Sequence, residues 1–112
     1  MPKETALKLA SPFGGGVARS GEICGAVSGA LMALGLARGN DTPEKKEETY
    51  HLAQEFLRRF EQKHQALRCR DLTGCELNTP EGHQKAVEKG VFRSLCPRLV
   101  SDAVEIVQAK LD

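Results

Sequence analysis

Apolar residues recur at three- and four-residue steps through most of this chain, and no stretch alternates with a period of two. That pattern predicts helices and no sheet. A short first helix is expected from Glu4 to Ala10, with Ala6, Leu7, Leu9 and Ala10 as its apolar side. Ser11-Pro12 should end it, because the residue before a proline avoids helical geometry. Phe13 then leads into Gly14-Gly15-Gly16, a loop where backbone can approach a neighbour closely. A second helix is expected to start near Ser20 as N-cap, with Glu22 in its first turn, and to end between Gly35 and Gly39. Gly25, Ala26, Gly29, Ala30 and Ala33 give it a face of small residues. Each glycine there costs about 1 kcal/mol of helix propensity relative to alanine, so close packing or ligand access must offset the cost.

Thr42-Pro43-Glu44 is a helix-start signal: a capping hydroxyl, proline at the first helical position and an acid in the first turn. The third helix should run from Pro43 to about Leu67. Thr49, Leu52, Ala53, Phe56, Leu57, Phe60 and His64 form its buried stripe, and Glu44, Lys45, Lys46, Glu47, Arg58, Arg59 and Lys63 its solvated face. Cys69 to Asn78 reads as a loop. Thr79-Pro80-Glu81 repeats the start signal for a short helix from Pro80 to Lys89, which Gly90 limits. The last helix is expected to begin at Pro97, with Leu99, Val100, Ala103, Val104, Val107 and Leu111 on one side. The sum is an all-α fold, a small bundle of four to five helices, in one domain over residues 1–112.

Composition narrows the function classes. Sixteen basic and fifteen acidic residues give a net charge of +1, and aromatics are sparse. Nucleic acid as a partner is disfavoured on both counts. The most apolar stretch, Ile23 to Ala37, is shorter than the roughly 20 residues of a membrane span. Met1-Pro2-Lys3-Glu4 shows no secretory signal, so a cytoplasmic protein without a membrane partner is the expectation. In that compartment clustered cysteines point to redox exchange or metal more than to structural disulfides.

The chemistry therefore rests on four thiols, Cys24, Cys69, Cys75 and Cys96. Cys24 opens Cys24-Gly25-Ala26-Val27-Ser28-Gly29 and falls in the first turn of the second helix. Free N–H groups and the helix dipole favour a thiolate there. Cys96 precedes Pro97 at an expected helix start, where the same effect applies. Cys69 and Cys75 flank a loop that could bring them into disulfide range, but their spacing is not Cys-x-x-Cys. Each thiol could instead be a small core residue. Zinc or an iron–sulfur cluster is an alternative, weakened because no two cysteines have the short spacing usual in such sites. His51 and His64 stand too far apart on one helix to share a metal. His64, on the apolar stripe, is the histidine placed to influence Cys69, and His83 lies on the next helix. Gly14-Gly15-Gly16 with Gly21 lacks the Gly-Lys-Ser/Thr of a phosphate loop, since Glu22 follows. A hinge over Cys24 suits it better. Gly15, Gly25, Ala26 and Gly29 are the candidate positions for close approach of a cofactor or substrate. No cofactor and no metal ligand set is identified from the sequence.

Phe13-Gly14-Gly15-Gly16, then Cys24-Gly25-Ala26-Val27-Ser28-Gly29-Ala30-Leu31, then Cys69 and Cys96, resembles the C-GCAxxG-C-C family of redox-active proteins. The resemblance runs from about Leu7 to Leu111. It implies that Cys24, Cys69 and Cys96 match family cysteines and that Cys24, Gly25, Ala26 and Gly29 form the family motif. The family also carries a cysteine upstream of that motif, which this chain lacks, whereas Cys75 is additional. A shortened N-terminal helix would expose an apolar groove and so permit a homodimer. The expected function is thiol–disulfide or electron transfer with a redox partner protein. The alternatives are a metal or iron–sulfur binding module and a structural or interaction protein with inert thiols.

Overall fold

Thr42 and Thr79 each precede a proline, and helices begin at Pro43 and Pro80 in the computed structural model, which describes residues 1–111. Thr79 closes its helix start with a side-chain cap, its Oγ1 accepting from the Gly82 N–H at 3.0 Å. Thr42 occupies the equivalent position without a side-chain bond. Among the described residues there are six helices: α1 (Lys3–Ala10), α2 (Gly25–Arg38), α3 (Pro43–His64), α4 (Cys69–Thr73), α5 (Pro80–Glu88) and α6 (Val91–Leu111), with a 3₁₀ turn at Ser11–Phe13. The all-α architecture is as expected, but four to five helices is an undercount. The short α4 lies in the stretch expected to be loop.

Three helix ends differ from expectation. The second helix starts at Gly25, with Cys24 as its N-cap residue at ψ 136. Ser20 is not the cap; its N–H donates to the Val17 carbonyl in a preceding turn. The third ends at His64 because Gln65 takes a left-handed conformation, φ 63, and its N–H closes on Glu61 O at 2.7 Å. The last begins at Val91, not Pro97, which sits inside the helix. Gly90, at φ 70, supplies the start: its carbonyl accepts from Arg93 N, Ser94 N and Ser94 Oγ. The first-turn preference of proline is only a preference. Here the left-handed glycine sets the boundary earlier, and α6 tolerates the missing N–H.

The main core lies among α2, α3 and α6. Val27, Ala30 and Leu34 meet Phe56, Phe60, Leu99, Ala103 and Val107 there, with Cys24 at the edge. Phe56 and Phe60 are fully buried with stacked rings 6.0 Å apart, each contributing about 1.5–3 kcal/mol of burial. Charge pairs fasten the seam between α3 and α6, Lys110 to Glu55 and Lys63 to Asp102, with the His64 ring also against Asp102. A second, smaller cluster joins Cys69, Cys75 and Leu77 to Ala86 of α5 and Val91 of α6, with Leu95 and Cys96 against it. By contrast, α1 buries no residue. Its apolar side stays exposed, including Leu7 and Leu9. Among the described residues no helix is long and apolar enough to cross a membrane.

Candidate thiol site

A single antiparallel bridge, Ile23 against Arg68, brings two distant parts of the chain together. Cys24 N–H donates to Leu67 O at 2.9 Å on one side of it, and Cys69 N–H donates to Glu22 O at 2.7 Å on the other. Side chains alternate along such a ribbon. Cys24 and Cys69, each one step from the bridge, therefore leave the same face as diagonal neighbours.

Arg70 holds this register. Its guanidinium donates to Gly21 O and Ser20 O, each at 3.1 Å, and to Glu22 Oε1 at 2.8 Å. Arg68 Nε adds a looser contact to Glu22 Oε2 at 3.8 Å. Glu22, expected in the first turn of a helix, instead supplies both a backbone acceptor for Cys69 and a carboxylate for the two arginines. The sequence held a signal for this: an acid two residues before one cysteine, and a base on each side of the other.

The glycine loop presses on the pair from above. Gly15, Gly16, Val17, Ala18 and Arg19 have consecutive φ values between 52 and 68. Left-handed backbone costs little for glycine but is strained for β-branched Val17. At Gly16 a Cβ would stand 2.6 Å from Cys69 Cβ and 2.5 Å from Glu22 O, so the position excludes any side chain. Gly25 is constrained in the same way, by Phe13 O at 3.0 Å from where its Cβ would be.

All four cysteines are free thiols; Cys24, Cys69 and Cys75 are 8%, 7% and 4% exposed, and Cys96 is half-buried. Burial first, and then negative charge on Cys24, Cys96 and Cys75, together push the Cys69 thiol up to about 11. Burial and then Cys24 likewise raise Cys96. Those mutual effects place the thiols within electrostatic reach of one another. The acidifying helix-start position expected for Cys96 is absent, since it lies beyond the first turn of α6. Cys24 does sit at a helix N-terminus, where the first N–H groups of α2 lack intrahelical acceptors. Cys75 is held as a thiol donor, Sγ to Thr73 O at 3.5 Å, while its N–H meets Thr73 Oγ1.

The other candidate positions separate into two places. Gly25, Ala26 and Gly29 line an apolar groove of about 320 Å³ between α2 and α6, facing Val100 and Val104. Gly15 lines a cleft elsewhere, near His83. Among the described residues no three of His, Cys, Asp or Glu converge closely enough to hold a metal ion. His64 belongs to the α3–α6 seam. Its ring packs on Phe60 at 4.7 Å, and its Nε2 stands 2.9 Å from Asp102 Oδ2 without an aligned hydrogen bond.

Comparison with curated proteins and with solved structures gives no match. The family model described as "Putative redox-active protein (C_GCAxxG_C_C)" matches residues 1–110. With Cys24-Gly25-Ala26-Val27-Ser28-Gly29 at the start of α2 and Cys69 and Cys96 packed near it, the chain belongs to the C_GCAxxG_C_C family.

Proposed function

We propose that the protein exchanges thiols with disulfides, Cys24 attacking and Cys69 resolving. The observation that carries this reading is the Ile23–Arg68 bridge, which fixes the two cysteines on one face of a short ribbon. Cys24 is the attacking group because a thiolate at the N-cap faces free backbone N–H groups and the positive end of α2. It attacks one sulfur of a substrate disulfide, that S–S bond breaks, and one thiolate leaves and takes up a proton. Cys69 then attacks Cys24 Sγ in the mixed disulfide and expels the second thiolate. Two electrons and two protons pass from the protein dithiol, and the substrate becomes two thiols.

The raised pKa of Cys69 keeps it protonated in the resting protein, so Cys24 acts first. Negative charge on Cys24 is one of the causes that raise that pKa. Once Cys24 is engaged in a mixed disulfide that charge is gone, which removes the second cause of the shift and leaves burial, the larger one. The test is a thiol count by mass spectrometry after a mild disulfide oxidant. The expected product is one intramolecular bond between Cys24 and Cys69, with Cys75 and Cys96 still free. If all four thiols remain free in a folded protein, the exchange reading fails.

A further inference from the structure

Two clefts meet beside the glycine loop, and their lining is chemically lopsided. One, of about 630 Å³, runs along the start of α5; the other, of about 500 Å³, reaches toward Phe92. Ala18, Arg19 and His83 line both, so they are two lobes of one depression. The chain has fifteen acidic residues, yet neither lobe is lined by one. The only permanent charge in the lining is Arg19, and among the described residues it makes no ion pair with any carboxylate. This contrasts with Arg68 and Arg70, which both engage Glu22. Around Arg19 stand neutral hydrogen-bonding groups, Ser20, Asn78 and Gln84. His83 packs its ring on Phe92 with centroids 5.7 Å apart and a tilt of 38°, forming an aromatic wall.

No cysteine lines the depression, but residues that pack beside Cys24 and Cys69 do. Leu77, on its floor, belongs to the buried cluster of Cys69 and Cys75. Gly14, on its other side, packs against Gly25, the residue after Cys24. Gly16, between them, lies directly on Cys69. The glycine loop thus lines the depression with Gly14 and Gly15 and touches Cys69 with Gly16.

We propose that this depression binds the carboxylate end of a small organic disulfide, the oxidised substrate of the thiols beside it. The disulfide part of that assignment rests on the exchange reading above; the carboxylate part rests on the lining. A guanidinium among neutral hydrogen-bonding groups, with no acid in the lining, attracts carboxylate and repels ammonium. Exchange with such a compound consumes one disulfide, forms the Cys24–Cys69 bond and releases two carboxylate-bearing thiols.

The experiment pairs two measurements on the full chain. The first compares rates of thiol loss with oxidised glutathione, an anionic disulfide, and cystamine, a cationic one. The ratio is divided by that of the urea-unfolded chain, which removes intrinsic reactivity. The second measures binding of S-methylglutathione, which carries the carboxylates but cannot exchange. The expected results are a corrected ratio at least 10-fold in favour of the anionic disulfide, and S-methylglutathione binding that weakens with salt. Arg19→Gln should lower both by 5-fold or more, and Arg19→Lys should restore part of the loss. Arg58→Gln, on the far helix α3, should change neither. A corrected ratio near one together with no S-methylglutathione binding overturns the proposal while leaving thiol exchange standing. Binding of S-methylglutathione that depends on Arg19, with thiols inert to both disulfides, supports the depression and removes the exchange reading.

Discussion

Gly16 and Cys69 touch so closely that the space for a methyl group at position 16 is already occupied, by Cys69 Cβ and the Glu22 carbonyl. Gly16 also has φ 68, which disfavours any L side chain. Strain and overlap act together, so Gly16→Ala is expected to cost about 2–4 kcal/mol. Gly14 is the control. It has extended backbone and no atom within 4 Å of its would-be Cβ. Gly14→Ala should change stability by no more than about 0.5 kcal/mol. Urea titration of both variants checks this, and equal midpoints would mean that the loop does not press on Cys69.

Arg70 makes three contacts to residues 20–22 and holds the ribbon that aligns the cysteines. Its side chain is partly exposed, so solvent screening reduces each contact. Arg70→Met keeps the aliphatic stem and removes the charge and donors. A loss of about 1–2 kcal/mol is expected from hydrogen bonds to backbone acceptors. The sharper consequence concerns oxidation. With the register loosened, the yield of the Cys24–Cys69 bond should fall relative to other pairings in a disulfide map of the oxidised protein.

How much of this was legible in the sequence varies with the range of the interaction. The apolar stripe of α3 was readable because Phe56, Phe60 and their neighbours follow a local period. The starts at Pro43 and Pro80 were readable because capping is local chemistry. Cys24 as N-cap was missed because Ser20 is a better cap by residue type. The bridge to Leu67 and Cys69, a contact between remote segments, holds residues 21–24 extended and delays the helix. The start of α6 was missed for a related reason: Gly90 in left-handed geometry begins the helix ahead of Pro97, and φ is not written in residue type. Gathering of the four thiols follows from the same remote bridge and from α5 docking on α6, which no spacing rule encodes. The motif glycine Gly25 was recognisable as a close-contact position, but its partner, Phe13 O, was not.

The Cys69 thiol supplies a pH test whose sign is fixed. Its pKa is raised from 9.0 to about 11 in the folded state, by burial first and then by Cys24, Cys96 and Cys75. Between those values the unfolded chain has already lost the proton that the folded chain keeps. Stability from this group is therefore complete below pH 9 and declines as pH rises toward 11. Cys69→Ala should flatten that decline in urea midpoints measured across the same window. Alkylation of Cys69 in the folded protein should also lag far behind a free thiol at pH 8, checked by peptide mass spectrometry.

Asp102 provides the opposite sign. Burial acts to raise its pKa, but the hydrogen bond and charge of Lys63, and then the His64 ring beside it, outweigh that and hold it below 3.8. A depressed carboxylate stabilises the fold above its unfolded pKa, and the contribution is lost as pH falls below about 4. Asp102→Asn should make the protein less stable at pH 6 and reduce the further loss on acidification. Parallel midpoint curves for parent and variant from pH 6 to pH 3 would show that the α3–α6 seam does not depend on this charge.

Gly29 belongs to the same motif as Gly25, yet the structure gives it a different reason to be there. Gly25 is pressed by Phe13 O, whereas no atom lies within 4 Å of a Cβ built at Gly29. Gly29 is exposed, mid-helix in α2, and opens onto the apolar groove with Val100 and Val104. Helix propensity then decides the outcome for the chain alone. Gly29→Ala should stabilise it by about 0.5–1 kcal/mol, through lower entropy of the unfolded chain and better helix formation. The gain should be equal at low and high protein concentration, read from thermal or urea midpoints. A variant that is less stable than the parent, with a deficit that grows with protein concentration, would show that position 29 is filled by a second copy of the chain. In that case the glycine keeps a groove open for a neighbouring helix, and the motif serves association as well as the cysteine beside it.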